Sequence, residues 1–305
     1  LMKSRSVIIV SFVLVLIVQV GVFASAPEKG FFLPDSVEEM TLKYRTVRGL
    51  IVLPVKINDS VEVNLVLDTG CRNLVLFGKK FRKFFRITPG RPVQFSGLGS
   101  GAPVTGSLSI NNKVSIEHVM GEGIPVVIVN NSNLFAGYYD VQGVIGYEIF
   151  LKFEIELNAK ARLITFRPAL RTVARPGYFR MPLHIVDARP VMDSQVDIDG
   201  TNPLMLELMI DTGSSLGLLL KTTNITAFNY PHREKALGLG LNGPITGYQV
   251  TSDRLRIDAL EMEDVPTGIV SSPWHNNASI GMAVLKDYIV VVNYCKACAY
   301  FKRNV

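Results

Sequence analysis

Short apolar runs set off by turn-forming pairs dominate the chain. Leu50–Ile57 (LIVLPVKI) and Val61–Leu67 (VEVNLVL) are two such runs, joined at Asn58-Asp59, a pair suited to a tight hairpin turn. Ile124–Val129 and Ile289–Val292 are β-branched runs of the kind that become buried strands. Helical spacing is confined to Phe77–Phe85 and Gly146–Lys152. The pattern predicts an all-β chain, mainly strands with short helices.

That pattern is written twice, with three landmarks recurring in one order. The first is an apolar strand ending in Asp-Thr-Gly: Val63–Leu67 before Asp68-Thr69-Gly70, and Leu206–Ile210 before Asp211-Thr212-Gly213. The second is a glycine-rich hairpin segment, Gly99-Ser100-Gly101-Ala102-Pro103-Val104-Thr105-Gly106, which returns as Gly240-Leu241-Asn242-Gly243-Pro244-Ile245-Thr246-Gly247. The third is Val144-Ile145-Gly146 with Phe153 and Asn158, against Ser279-Ile280-Gly281 with Tyr288 and Asn293. The spacing between copies contracts along the chain, as expected for a duplicated unit carrying small insertions and deletions. Asp199-Gly200 is the hairpin pair that corresponds to Asn58-Asp59. The polar stretch Arg171–Gly177, with its Pro-Gly, separates the copies. The expected organisation is residues 45–170 for the first lobe, a linker over 171–180, and 181–303 for the second.

Composition places the chain among globular proteins: 48% of the 305 residues are hydrophobic and 19% charged. Lys3 and Arg5 precede an apolar run, Val7–Phe23, interrupted by Ser11, Gln19 and Gly21, and then Ala24-Ser25-Ala26. This reads as an export signal over residues 1–26. An uncleaved membrane anchor fits the same run, and both readings put the remainder outside the cytoplasm: in a bacterial periplasm or cell envelope, or secreted. The formal net charge of +6 is mild. Lys79, Lys80, Arg82, Lys83 and Arg86, interleaved with Phe77, Phe81, Phe84 and Phe85, read as an amphipathic surface helix, and no nucleic-acid partner is expected. Three cysteines and four histidines lack the spacing of a zinc site, so neither metal nor cofactor is expected. Cys295-x-x-Cys298 stays open between a local disulfide and two thiols held apart by an extended strand.

A single Asp-Thr-Gly is an ordinary strand-ending turn. Two of them, each after a strand that should be buried, aim two carboxylates inward, where burial is costly unless they are protonated, paired or hydrogen-bonded. If the copies pack about a pseudo-twofold axis, Asp68 and Asp211 become neighbours and share one proton. The ionised member then serves as general base on a water while the protonated one polarises a carbonyl. Thr69 and Thr212 supply hydroxyl hydrogen bonds across the axis, and Gly70 and Gly213 leave room for backbone amides to reach the carboxylates.

With Asp68-Thr69-Gly70-Cys71, Asp211-Thr212-Gly213-Ser214-Ser215 and the downstream Val144-Ile145-Gly146 and Ser279-Ile280-Gly281, the sequence resembles the pepsin and retropepsin clan of aspartic peptidases, in particular bacterial exported retropepsin-like proteins, over residues 45 to 303. The resemblance implies two homologous acid-protease-like β-barrel lobes related by a pseudo-twofold axis. It implies an aspartic endopeptidase with Asp68 and Asp211 catalytic and Ser214 in the supporting loop. Gly99, Gly101 and Gly106, and Gly240, Gly243 and Gly247, would belong to two flaps closing over an extended polypeptide. One chain supplies both aspartates, so a monomer is expected. Cys71 departs from the usual Ser, Thr or Ala, and reads as a buried small residue in preference to an oxidation-sensitive thiol. Ser279 stands where an apolar residue is usual. The first flap lacks the tyrosine typical of pepsins, although Tyr248 follows the second. Competing functions are a catalytically silent module that binds a peptide or envelope protein, and a secreted β adhesin whose two carboxylates lie far apart.

Overall fold

The computed structural model describes residues 29–95, 97–130, 140–171, 173–198, 203–223, 233–272 and 277–304. Residues 1–26, read above as an export signal, Thr172 and the Asp199-Gly200 pair lie outside them. Among the described residues the chain forms three β-sheets and three short helices. The first repeat builds a nine-stranded sheet and the second an eight-stranded one.

Both lobes use one local plan. Leu50–Ile57 and Val61–Leu67 form an antiparallel hairpin, turned by Asn58 and Asp59, both at positive φ (50° and 57°). The strand Val61–Leu67 runs parallel to Gly143–Ile145, with Leu67 opposite Ile145. Gly143–Ile145 in turn pairs antiparallel with Leu74–Phe77. Leu204–Ile210, Asn277–Ile280 and Leu218–Thr222 repeat this arrangement. One short strand thus separates the chain entering each Asp-Thr-Gly from the chain leaving it, so the motif must turn as a loop at the sheet's end. Ile51, Leu53, Ile57, Leu65 and Leu67 are fully buried beneath the first loop, each contributing about 1.5–3 kcal/mol by leaving water.

The helical spacing over Phe77–Phe85 is realised only in part. Phe77 closes the strand Leu74–Phe77, pairing with Val129 and donating its N–H to Gln142 O at 2.9 Å. Gly78 at φ 125° then breaks the strand, and a 3₁₀ helix covers Lys79–Phe84. Long-range strand pairing overrides the local period there. The second helical expectation holds as the single turn Tyr147–Phe150.

A six-stranded sheet joins the lobes. Its order is Phe179–Pro182, Cys298–Arg303, Tyr288–Asn293, Phe153–Asn158, Leu163–Pro168 and Met40–Lys43: three strands from the second half, then three from the first. Glu156 faces Val291, its own counterpart when Phe153 and Asn158 are matched to Tyr288 and Asn293, so the pseudo-twofold axis crosses the sheet there. Met40–Lys43 and Phe179 lie outside the residue ranges expected for the lobes and complete this sheet. The polar connection is pinned beneath it: Arg175, 6% exposed, ion-pairs with Glu154, 4% exposed, and with Glu156 at 3.1 Å. Arg167 meets Glu156 at 2.8 Å, and Asn293 Nδ2 donates to Glu154 at 3.1 Å. Cys295 and Cys298 are free thiols at the last hairpin; the exposed Cys295 donates to Leu151 O at 3.0 Å, and Cys298 is buried.

Candidate active site

The two Asp-Thr-Gly loops meet where the lobes abut. Thr69 Oγ1 donates to Ile210 O at 2.6 Å and accepts the Thr212 N–H at 3.0 Å. Thr212 Oγ1 donates to Leu67 O at 2.8 Å and accepts the Thr69 N–H at 3.1 Å. Each hydroxyl therefore bonds the opposite lobe twice, and both threonines are fully buried. Only a hydroxyl that donates and accepts at once can do this in both directions, which accounts for threonine in both copies.

The loops are braced from behind in matching ways. Asp68 N–H donates to Ile145 O at 2.8 Å and Asp211 N–H to Ile280 O at 2.9 Å. Tyr147 N–H donates to Cys71 O and Met282 N–H to Ser214 O, both at 2.8 Å. A methyl on Gly146 would come within 2.1 Å of Cys71 O and 2.3 Å of Asp68 O; on Gly281 it would meet Leu216 O at 2.5 Å. Glycine after the short central strand is thus required by the approach of the motif loop itself. Ser214 Oγ accepts the Leu216 N–H at 3.2 Å, closing the second loop.

The same compactness brings the carboxyl groups together. Gly70 N–H donates to Asp68 Oδ1 at 2.7 Å and Gly213 N–H to Asp211 Oδ1 at 3.1 Å. A methyl on Gly213 would overlap the Asp68 carboxyl, 2.3 Å from its carbon. A methyl on Gly70 would lie 3.1 Å from Asp68 Oδ1 and 3.8 Å from Asp211 Oδ1. Burial first, and the negative charge of Asp211 second, push the Asp68 carboxyl up to about 7, against the Gly70 amide and Arg189. Burial also raises Asp211, while the positive charge of Lys221, the Gly213 amide and Arg189 hold it down. Two buried carboxyls this close cannot both carry charge readily, so the pair favours one shared proton.

Two hairpins, one from each lobe, meet at their tips. The first joins Ile87–Phe95 to Val104–Ile116, the second Lys235–Gly240 to Gly243–Ile257. Their tips touch: Gly101 N–H donates to Asn242 O at 2.7 Å, Asn242 Nδ2 returns to Gly101 O at 2.8 Å, and Ser100 N–H donates to Pro244 O at 3.2 Å. Gly99, Gly101, Gly240 and Gly243 stand at this contact, where a methyl on Gly99 would lie 2.5 Å from Gly243 O. Gly106 and Gly247 lie further down, within the long strands, the first against Val127 and the second against Ile269 O. Tyr248, half-buried, follows Gly247 and pairs with Ile269.

The aspartyl protease family model matches the chain over residues 53–149 and again over 194–286, together more than half of its length. The chain belongs to the aspartyl protease family. Each matched segment carries a motif strand, an Asp-Thr-Gly, a hairpin and the glycine that supports the motif. The core strands of the six-stranded sheet fall outside both segments. Among curated proteins, none matches the chain.

Several neighbours of the aspartyl protease loops, Cys71 apart, were not singled out by sequence pattern. Tyr294 donates its hydroxyl to Thr69 O at 3.1 Å and stacks on Phe150 at 5.3 Å; its adjacency to the repeated Asn293 is the one local signal. Arg72, just beyond the first motif, ion-pairs with Asp187 of the second lobe, a contact that only the tertiary fold creates. Lys221 closes an otherwise apolar run, Leu218-Leu219-Leu220, and its charge reaches Asp211. Cys71 is half-buried against the apolar cluster of Val75 and Phe77, with its thiol donating to Asn73 O at 3.0 Å. Burial and the Asp68 charge push that thiol well up, away from the reactive thiolate.

Proposed function

We propose that this aspartyl protease family member is an endopeptidase in which Asp68 and Asp211 activate a water to cleave a peptide bond. The reading rests on one observation above the rest: the Thr69 and Thr212 hydroxyls lock two equivalent loops so that both carboxyls face one another between the lobes. Asp211 accepts a proton from the water as its oxygen attacks the peptide carbonyl carbon, and Asp68 gives its proton to the carbonyl oxygen. The tetrahedral intermediate then collapses. The C–N bond breaks, Asp211 passes its proton to the leaving nitrogen, and Asp68 takes a proton back from one hydroxyl of the intermediate as its C=O re-forms, leaving acid and amine with the dyad restored. The substrate lies extended between the lobes under the flap tips, where strand-like backbone pairing holds it irrespective of sequence. Export to a periplasm, cell envelope or the exterior follows from Val7–Phe23 and Ala24-Ser25-Ala26, and a working monomer from one chain carrying both aspartates. No nucleic acid, metal or cofactor enters the scheme.

The test is cleavage of a diverse peptide library across acidic to neutral pH by the wild type, Asp68→Asn and Asp211→Asn. Cleavage by the wild type alone, with both variants folded, supports the dyad. A folded wild type that cuts nothing and still binds peptides would replace it with a binding module.

A further inference from the structure

The pseudo-symmetry that makes the two loops alike also exposes where the cleft walls differ. In the first lobe Val75 lies opposite Val144, and Phe77 pairs with Val129. In the second, Leu219 lies opposite Ser279, and Lys221 pairs with Val270. Val144 and Ser279 are equivalent landmark residues, as are the strands that carry Val129 and Val270, so two independent registers place Lys221 in the position of Phe77. Alternation along each strand fixes the side on which these residues project. Leu74 and Leu76, like Leu218 and Leu220, enter the main core. Val75 and Phe77 instead join the cluster beneath the first flap, with Cys71 beside Asp68 and Leu241 from the opposing flap tip. Leu219 joins the smaller cluster of Ile245 and Val270 beneath the second flap, with Leu216 and Leu237. Lys221 shares the face of Leu219.

The packing beneath the first flap is therefore apolar, whereas beneath the second, one cation, Lys221, shares the face of an apolar cluster. Lys221 is half-buried, and among the described residues its ammonium makes no hydrogen bond or ion pair; the acid its field reaches is Asp211. A partly desolvated ammonium without a hydrogen-bonded partner gains more from an incoming carboxylate than an exposed one does. Arg189 adds a second positive charge whose field reaches Asp68, Asp211 and Lys221. We propose that the second-lobe side of the cleft is a subsite for an acidic substrate side chain received by Lys221, while the first-lobe side receives an apolar one. This deepens the endopeptidase reading and rests on it for the word substrate, although the subsite itself is a matter of binding.

The experiment compares wild type, Lys221→Leu and Lys221→Glu in the full chain. A cleavage library should show Asp or Glu enriched at one substrate position. Paired peptides differing only by Glu or Gln there should differ in kcat/KM by about tenfold in the wild type, the scale of one charge-assisted contact. The ratio should fall to about one in Lys221→Leu and invert in favour of Lys over Glu in Lys221→Glu. A change in Asp211 alone would instead move the pH profile of every substrate together and leave these ratios intact, which would overturn the proposal. So would an acidic preference that persists without Lys221. If the wild type cuts nothing, the endopeptidase reading fails, and the subsite is decided by equilibrium binding of the same peptides to Asp68→Asn with and without Lys221→Leu. Equal Glu and Gln affinities in both would sink it.

Discussion

Each threonine hydroxyl at the lobe junction satisfies two backbone groups that have no water to turn to. Thr69→Val keeps the shape and removes the hydroxyl, leaving Ile210 O and the Thr212 N–H unpaired at a fully buried position. At about 1–3 kcal/mol for each stranded group, urea unfolding should register a loss of about 2–5 kcal/mol, with Thr212→Val costing a similar amount. The double variant should lose less than the sum, because the two hydroxyls share one network; strict additivity would argue against the reciprocal arrangement. The aspartates make a different demand. Asp68 is raised to about 7 in the folded chain, above its ordinary carboxylate range, so its contribution to stability is present at low pH and is lost as pH rises through about 7. Catalysis through a protonated Asp68 should weaken over the same rise. Asp68→Asn should therefore abolish cleavage and yet, above about pH 7, melt a few degrees higher than wild type. A lower melting temperature there would contradict the burial argument.

At the scale of elements, the flap tips depend on backbone approach. A methyl on Gly101 would fall 2.1 Å from Asn242 O, too close for any side chain, so Gly101→Ala must part the tips. The tip residues are exposed or half-buried, and unfolding should change by less than about 1 kcal/mol, as for surface positions generally. The loss should appear as kcat/KM reduced about tenfold, mostly through KM, in steady-state cleavage of one peptide. Unchanged kinetics would mean that the tip contact does not help to retain substrate. The same scale shows what sequence reading reaches. The hairpin at Asn58-Asp59, the strand before each motif and the third glycine landmark were legible because period, turn chemistry and duplication all pointed one way. Phe77 was not, since its strand identity comes from Val129 and Gln142, far away in sequence. The reason for Gly146 was hidden too, being the proximity of Cys71 O. Of the site, Asp68, Asp211 and their Thr-Gly partners were readable as a repeated motif; Lys221 and Arg189 were not, because nothing local marks a residue whose role depends on the other wall of a cleft.

At the scale of the whole molecule, the lobes are joined by a sheet to which each contributes three strands, with a buried charge cluster beneath its centre. Glu154 and Arg175 are both nearly inaccessible, and Asn293 completes the shell around Glu154. Pairs of this kind stabilise little relative to apolar residues of the same shape, because desolvation offsets attraction, but removing one partner strands the other. Arg175→Met should therefore cost about 3–5 kcal/mol, whereas Glu154→Gln combined with Arg175→Met should recover most of that loss. Because the cluster sits where strands from both lobes meet, the destabilised variant should still unfold in one transition, measured by urea titration with fluorescence and circular dichroism in parallel. Two separated transitions would show that the lobes fold independently and that the shared sheet does not couple them. A single, shifted transition, together with cleavage reduced only in proportion to the folded fraction, would place Arg175 in the frame that holds the two aspartates opposite one another, outside the chemistry proposed for them.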